Sequence, residues 1–338
     1  MVREILSRGL SLDPSIEVVG TAPNPYVARD KIAELHPDVL TLDVEMPKMD
    51  GVEFLRQLMA QYPMPVLMVS ALTQKGERIT LDALEAGAVD FITKPSANIA
   101  QGLNEMLVEL REKVKMAAKA NIRLRKQTPS VQQKPTAAKT QALAESTDKV
   151  IAIGASTGGT EAIRQVITQF PATAPGVVIV QHMPAGFTKM FAERLHQLCA
   201  MSVKEAETGD RIMPGRILVA PGDYHMTVQR SGSEFLVLCK HGEKVCGHRP
   251  SVEVLFHSVA KSVGSNAVGV ILTGMGHDGA EGMLAMREAG ARTIAQDEAT
   301  SVVFGMPKVA YERGGAERLA PIQNIAQLVM GMFMEKKQ

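Results

Sequence analysis

Residues 150–160 read Val-Ile-Ala-Ile-Gly-Ala-Ser-Thr-Gly-Gly-Thr, and this stretch indicates the fold more directly than any other part of the chain. It begins as an apolar, strand-like run, and an amphipathic helix follows from about Thr160. Ser156 stands in the turn with Gly154 and Gly158, in the spacing G-x-S-x-G. Such a turn presents a nucleophilic serine among backbone N–H groups, although a turn of small residues also cradles phosphate.

The composition is that of a globular protein with more than one domain. The chain has 338 residues, of which 45% are hydrophobic and 22% charged. A net charge of +1 gives no excess positive charge that would attract nucleic acid. No apolar run approaches the roughly 20 residues that span a bilayer. Three cysteines, an odd number, indicate a reducing compartment. We therefore expect a cytoplasmic protein that neither binds nucleic acid nor inserts into the membrane.

The chain divides into two α/β regions and a linker. Strand and helix patterns alternate in residues 1–112, which predicts a parallel sheet, and the first strand in this region is predicted at Ile16–Val19. Residues 113–147 are rich in Ala, Lys, Gln, Thr and Pro, which is typical of a linker. Residues 148–338 form the second α/β region, with strands predicted at Val150–Ile153, Val177–Val180, Ile217–Val219, Phe235–Leu238, Val268–Leu272 and Arg292–Ala295.

Three chemistry-bearing residues of the second region each follow a predicted strand. Ser156 follows the first strand, His182 follows Val177–Val180, and Asp278 follows Val268–Leu272. Active sites of parallel sheets collect at the carboxyl ends of the strands. A serine nucleophile needs a base to take its proton, and the imidazole needs a carboxylate to orient it. The order Ser, His, Asp differs from the order Ser, Asp, His of α/β-hydrolases, so that fold is not indicated.

Other interpretations of these residues stay open at this point. His182 also fits a capping or core histidine, and Asp278 an N-cap residue. His277 is a rival base, and Asp223 and Asp297 are rival carboxylates. The glycine turn also fits an anion-binding docking module without catalysis, or a nicotinamide site, although no G-x-G-x-x-G is present. Zinc-type ligands occur at Cys239, His241, Cys246 and His248. Their spacing matches no common zinc module, so we predict no metal there.

Four segments of the chain carry a family resemblance. They are Ile-Gly-Ala-Ser-Thr-Gly-Gly-Thr-Glu-Ala (153–162), Gln-His-Met-Pro-Ala-Gly-Phe-Thr (181–188), His-Arg-Pro-Ser-Val-Glu-Val-Leu-Phe-His-Ser (248–258) and Ile-Leu-Thr-Gly-Met-Gly-His-Asp-Gly-Ala (271–280). The chain resembles the chemotaxis protein-glutamate methylesterases, the CheB family, along nearly its whole length. The resemblance implies a doubly wound, mainly parallel methylesterase domain. It also implies hydrolysis of glutamyl methyl esters on methyl-accepting chemotaxis receptors and deamidation of receptor glutamines.

The resemblance also implies roles for particular residues. Ser156 is expected to be the nucleophile, His182 the base and Asp278 its orienter. The backbone N–H of Met275 is expected to donate to the oxyanion, with Thr157 as a second contributor. No metal or organic cofactor is expected for the hydrolysis.

The first region resembles a response-regulator receiver, a flavodoxin-like fold. This resemblance rests on Leu-Thr-Leu-Asp-Val-Glu-Met-Pro-Lys-Met-Asp-Gly (40–51) and on Thr-Lys-Pro (93–95). It implies that Asp43 accepts a phosphoryl group from a chemotaxis histidine kinase, with Ser70 and Lys94 contacting the phosphoryl oxygens.

The chain departs from the receiver pattern at its beginning. Receivers start with an apolar strand that ends in paired acidic residues, the magnesium ligands, whereas Met-Val-Arg-Glu-Ile-Leu reads as the helix after that strand. The first strand is apparently missing, either through a start placed too late, which the intact downstream pattern favours, or through truncation. We therefore expect this chain to bind magnesium weakly and to take up phosphate poorly.

Overall fold

The computed structural model describes residues 2–44, 46, 50–71, 73–95, 99–122 and 148–334. The chain forms two compact units, Met1–Gln127 and Thr128–Gln338. Each unit contains a parallel sheet flanked by helices, so the predicted α/β class is confirmed. Among the described residues, no helix combines the length and apolar character that crossing a membrane requires.

The first unit has a three-stranded parallel sheet in the order β1-β2-β3. Its elements are α1 (Val2–Leu10), α2 (Pro25–Leu35), β1 (Leu40–Asp43), α3 (Gly51–Gln61), β2 (Val66–Ala71), α4 (Gln74–Ala86), β3 (Asp90–Lys94) and α5 (Ile99–Ala117). Asp50 and Thr73 are the N-cap residues of helices α3 and α4, and their side chains accept backbone N–H groups of the first turn. Local sequence therefore sets where these helices start.

Residues Ile16–Val19 do not form a strand, so that prediction is wrong. In a flavodoxin-like sheet of order 2-1-3-4-5, the second strand pairs only with the first, and among the described residues no strand precedes β1. Ile16 and Val18 instead pack against a core cluster that includes Leu6 and Leu10 of α1. Apolar residues alone do not make a strand, because its backbone groups need a ladder partner.

Helix α5 extends past the boundary predicted at residue 112. It continues to Ala117, and Met116 and Ala117 are buried. Buried apolar side chains tie this last turn to the first unit, so the beginning of the predicted linker is ordered helix. The remainder of that linker, residues 123–147, lies outside the described residues.

The second unit is built on a seven-stranded parallel sheet in the order β13-β12-β11-β4-β5-β8-β6. Its strands are β4 (Val150–Ala155), β5 (Gly176–Gln181), β6 (Ser202–Glu205), β8 (Arg216–Val219), β11 (Ala267–Ile271), β12 (Arg292–Gln296) and β13 (Arg318–Ala320). Its helices are α6 (Gly159–Ile167), α7 (Phe187–Leu198), α8 (Val252–Ser262), α9 (Ala280–Glu288), α10 (Met306–Glu312) and α11 (Ile322–Met332). Strands β4, β5 and β11 are buried along their whole length, as expected for a sheet covered on both faces.

A second, antiparallel sheet has the strand order β7-β10-β9. It contains β7 (Arg211–Ile212), β9 (His225–Ser231) and β10 (Glu234–Lys240). The predicted strand Phe235–Leu238 is therefore real but belongs to this sheet, because β9 and β10 pair as a hairpin. The apolar residues of β9 and β10 join a core cluster with those of α8.

The central strand β4 is where the chain reverses its direction of winding. The strands that follow β4 are added on one side as far as β6, and β11 to β13 are added on the other side. In open α/β sheets, ligands bind at such a switch point, outside the carboxyl ends of the strands. Helix α8 approaches this point closely, since a Cβ on Gly154 would lie 2.2 Å from Val252 Cγ1.

Candidate active site

Ser156 occupies the first position after β4, in a turn held from two sides. Its backbone N–H donates to the Thr273 carbonyl at 3.1 Å, and its own carbonyl accepts the Gly159 N–H at 2.7 Å. Gly158 has a φ of +75°, a left-handed conformation that favours glycine. Strand, glycine turn and helix therefore fix the backbone that carries the Ser156 hydroxyl at the carboxyl edge of the sheet.

His182 reaches Ser156 because the strands that carry them are neighbours. It directly follows β5, and its backbone N–H donates to the Ala155 carbonyl at 3.2 Å. The His182 Nδ1 atom lies 3.1 Å from Ser156 Oγ, and its Nε2 atom lies 2.7 Å from Asp278 Oδ2. An ionised carboxylate only accepts hydrogen bonds, so Nε2 carries the ring hydrogen and Nδ1 is left to accept from the serine. In trypsin-like proteases Nε2 of the histidine faces the serine and Nδ1 faces the aspartate. Here Nδ1 faces the serine and Nε2 faces the aspartate.

Asp278 is enclosed by donors from the beginning of helix α8. Its carboxylate accepts from the Ser251 hydroxyl at 2.7 Å and from the backbone N–H groups of Val252 at 2.7 Å and Glu253 at 3.0 Å. The side chain is only 1% exposed. Burial by itself would raise the pKa of Asp278, but His182 and the surrounding donors outweigh it and hold this pKa below its ordinary value. Asp278 therefore stays ionised beside the imidazole.

Two family models match the chain. The CheB methylesterase model matches residues 151–329, and the response regulator receiver domain model matches residues 1–104. The protein-glutamate methylesterase/protein-glutamine glutaminase of Syntrophotalea carbinolica is 67% identical, with 100% of this chain and 96% of that protein covered. The protein of the same name from Escherichia coli is 53% identical, with 98% and 93% covered. The chain belongs to the CheB methylesterase family.

A solved structure supports this assignment for the second unit. The Thermotoga maritima CheB methylesterase catalytic domain is 37% identical, with a TM-score of 0.53. The match covers 54% of this chain and 98% of that domain. Together the comparisons confirm the predicted family, the receiver and methylesterase fold classes, and the enzyme class, a chemotaxis methylesterase with a receiver domain.

The residues predicted for the oxyanion site lie close to Ser156. Gly274 packs against the serine, since a Cβ on Gly274 would lie 2.8 Å from Ser156 Cβ. Met275 is the next residue and is half-buried. Thr157 is buried, and its carbonyl accepts from the Thr273 hydroxyl at 3.0 Å. The Thr-Gly-Met segment and the serine turn are thus joined by hydrogen bonds on both sides of Ser156.

The rival acid and base residues have other positions. His277 is exposed, although it directly precedes Asp278. Asp223 accepts from Arg249 Nε at 2.9 Å and is half exposed. Asp297 accepts from the Thr300 N–H at 2.9 Å and caps a turn. Asp278 is therefore the carboxylate that the structure brings to His182.

Two residues at this site have contacts that the sequence analysis did not assign. The ring of His248 stacks on that of His182, with centroids 3.7 Å apart and an interplanar angle of 13°. Ser251 is buried and serves as N-cap of α8 while donating to Asp278. The Pro-Ser pair before an apolar helical run is a signal for the cap. The contact between Ser251 and Asp278 joins residues 27 positions apart, so local sequence does not indicate it.

The four zinc-type residues separate in the structure. Cys239 lies against the Ala206 carbonyl, His241 lies beside Asp223, and His248 stacks on His182. In the part of the chain that the structure describes, three ligand atoms come within 4.8 Å of one another at Cys246, Glu253 and Asp278. Backbone N–H groups at the beginnings of α8 and α9 already donate to the carboxylates of Asp278 and Glu253. The positive ends of two helices do not favour a cation there.

The receiver residues share one edge of the first unit's sheet. Asp43 ends β1 and pairs in register with Val69, and Lys94 ends β3 and pairs with Ala71. The Lys94 ammonium lies 2.6 Å from Asp43 Oδ2. The hydroxyl of Ser70, one residue after Val69, accepts from the Thr80 hydroxyl at 2.7 Å. The predicted residues therefore gather at one strand edge, although the Ser70 hydroxyl is engaged with α4.

Magnesium, which receivers use, does not fit the residues described around Asp43. A hard divalent cation requires several oxygen ligands, usually more than one carboxylate. Among the described residues, Asp43 belongs to no group of three acidic, histidine or cysteine ligands, and Lys94 occupies its carboxylate.

Proposed function

We propose that this chain hydrolyses glutamyl methyl esters on methyl-accepting chemotaxis receptors in the cytoplasm and deamidates receptor glutamines. The hydrogen-bonded path from Ser156 Oγ through His182 to Asp278 carries this proposal, with distances of 3.1 and 2.7 Å. Family membership and the names of the relatives support the choice of substrate. The path supplies a nucleophile, a base and an orienter in one cluster.

The geometry supports acyl transfer in two steps. Ser156 Oγ attacks the ester carbonyl carbon while His182 Nδ1 takes the hydroxyl proton. The resulting tetrahedral intermediate breaks its bond to the methoxy oxygen, which leaves as methanol with that proton. Water, deprotonated by the same nitrogen, then releases the glutamate carboxylate from the serine. With a glutamine substrate, ammonia leaves in place of methanol.

The oxyanion of the tetrahedral intermediate needs donors that do not move during the reaction. The backbone N–H groups of Met275 and Thr157 fill this role in the proposal, beside Gly274 and the Ser156 turn. One such donor lowers the barrier by about 3–4 kcal/mol. These steps use no metal or organic cofactor.

Phosphorylation of Asp43 by a chemotaxis histidine kinase regulates the hydrolase in this proposal. The receiver match and the position of Asp43 beside Lys94 support it. The described residues do not fit the magnesium ion of receivers, so we expect the chain as given to respond weakly to a phosphodonor.

The test of the hydrolase is methanol release from a methylated receptor fragment. We expect release by the wild-type chain and a loss of at least roughly a thousandfold in Ser156→Ala, because no other hydroxyl replaces the nucleophile. Ser202→Ala is the matched control, since the Ser202 hydroxyl is bonded to the Gly215 carbonyl. Unchanged methanol release in Ser156→Ala would reject the proposed nucleophile. A wild-type chain that binds the fragment without releasing methanol would favour the docking module.

A further inference from the structure

Glu253 and Asp278 each accept a backbone N–H at the beginning of the helix next to which the other residue lies. Asp278, just before α9, accepts the Glu253 N–H at 3.0 Å at the beginning of α8. Glu253, in the first turn of α8, accepts the Gly279 N–H at 2.9 Å through its Oε2 atom, at the beginning of α9. Each carboxylate therefore binds the helix that carries the other. Two helix N-termini and two carboxylates form a closed, reciprocal pair.

The Glu253 side chain is nearly buried and closely surrounded by its neighbours. It is only 12% exposed, and a Cβ on Gly282 would lie 3.4 Å from its Oε1 atom. His257 Nε2 lies 2.8 Å from Oε1, without the alignment of a hydrogen bond. Burial raises the pKa of Glu253, and the charge of His257 and the Gly279 N–H counter this rise only in part.

The Gly279 N–H needs this acceptor. Gly279 is buried, has a φ of +91°, and packs so tightly on Val252 that a Cβ would lie 2.4 Å from Val252 Cγ1. It has no side chain with which to cap α9. Glu253 therefore holds the peptide group that directly follows Asp278, and it restrains the carboxylate that faces His182.

We propose that Glu253 is a positioning residue for the reaction, which holds Asp278 in register with His182 through the Gly279 N–H. This inference rests on the proposed function. In the described structure Glu253 accepts the Gly279 N–H and donates its own N–H to Asp278, Asp278 contacts His182, and His182 contacts Ser156. Its effect on the reaction is therefore transmitted through Asp278.

The experiment compares Glu253→Ala, Glu253→Gln and the control Glu281→Ala. Glu281 is the first-turn acidic residue of α9, but it is half exposed and paired with Arg313. In Glu253→Ala we expect kcat for methanol release to fall about 10- to 100-fold with little change in KM, because a displaced orienter affects the reaction more than binding. Glu253→Gln keeps an oxygen that accepts from Gly279, so it should recover most of the loss. Glu281→Ala should stay within about twofold of wild type.

A second measurement separates this inference from the proposed function. We expect the proton between His182 Nε2 and Asp278 to give a downfield ¹H NMR resonance in the wild-type chain without any substrate, because the two atoms lie 2.7 Å apart. We expect Glu253→Ala to shift or broaden it, and Glu253→Gln and Glu281→Ala to leave it near the wild-type position. If the wild-type chain releases no methanol, the proposed function fails, while this resonance still tests Glu253. An unchanged resonance and kcat in folded Glu253→Ala, or an equal loss in Glu281→Ala, would overturn the inference.

Discussion

The candidate catalytic cluster (Ser156, His182 and Asp278) and the receiver cluster (Asp43, Ser70 and Lys94) both lie at the carboxyl ends of parallel strands, but their surroundings differ. Asp278 is 1% exposed and accepts hydrogen bonds from His182 and the beginning of α8, whereas Asp43 is 30% exposed and pairs with Lys94. The first cluster lies in a seven-stranded sheet, and the second in a sheet of three strands. The Asp278 carboxylate is therefore more enclosed by its neighbours than the Asp43 carboxylate is.

The largest difference between the two clusters should appear on neutralising Asp278. In Asp278→Asn the amide nitrogen faces backbone donors, and the imidazolium loses its counter-charge, so we expect kcat for methanol release to fall about 10³- to 10⁴-fold. The measurement is the rate of methanol release from a methylated receptor fragment. Asp297→Asn, at the end of the neighbouring β12, is the control and should keep nearly full activity. Equal losses in both variants would contradict the assignment of Asp278.

The receiver cluster should take up phosphate poorly. Because the described residues around Asp43 do not fit magnesium, labelling of Asp43 by acetyl phosphate should be at least roughly a hundredfold slower than in a variant that carries a first strand and an acidic pair before Val2. Phosphate incorporation is measured across a magnesium titration, with Asp43→Asn as the blank. Rapid labelling of this chain with ordinary magnesium dependence would show that the cluster is complete without that strand.

Removing the stacked ring of His248 should have an intermediate effect. An aromatic pair contributes about 0.5–1.5 kcal/mol, so we expect His248→Ala to lower kcat about 3- to 10-fold by loosening the ring of His182. His241→Ala is the control, because His241 lies in the same connection between β10 and α8 but pairs with Asp223. Methanol release gives the rates. A His248→Ala variant with the wild-type rate would show that the stacking does not restrain the base.

The smallest expected effect concerns stability at acid pH. The pKa of Asp278 lies below its ordinary value in the folded state, so its contribution is present above the unfolded pKa of about 3.9 and is lost as pH falls through the folded pKa. Urea unfolding of the wild-type chain between pH 3 and 7, monitored on the second unit, should therefore show stability declining toward acid pH. Asp278→Asn removes the contribution of this carboxylate, so the free energy of unfolding of the variant should depend less on pH. Parallel curves for the two proteins would contradict the pKa direction.

Much of the second unit could be predicted from local pattern. The strand-turn-helix around Ser156, the strands β5 and β11, and the start of α8 after Ser251 agree with their apolar runs and caps. The short edge strands β6 and β13 carry fewer buried residues, so periodicity did not indicate them. Helix α10 is only seven residues long, too short for an apolar period to indicate it.

The sequence by itself indicated the buried strands β4, β5 and β11 and the chemistry available after them. It placed a serine, a histidine and an aspartate after three buried strands, because apolar runs and glycine turns are local signals. Only the tertiary structure decided that Asp278, rather than Asp223 or Asp297, meets His182. The order of strands in the sheet and the packing of α8 against Gly279 make that choice. These contacts join residues up to 96 positions apart, and hydrogen-bond partners at such separation are set by packing rather than by neighbouring sequence.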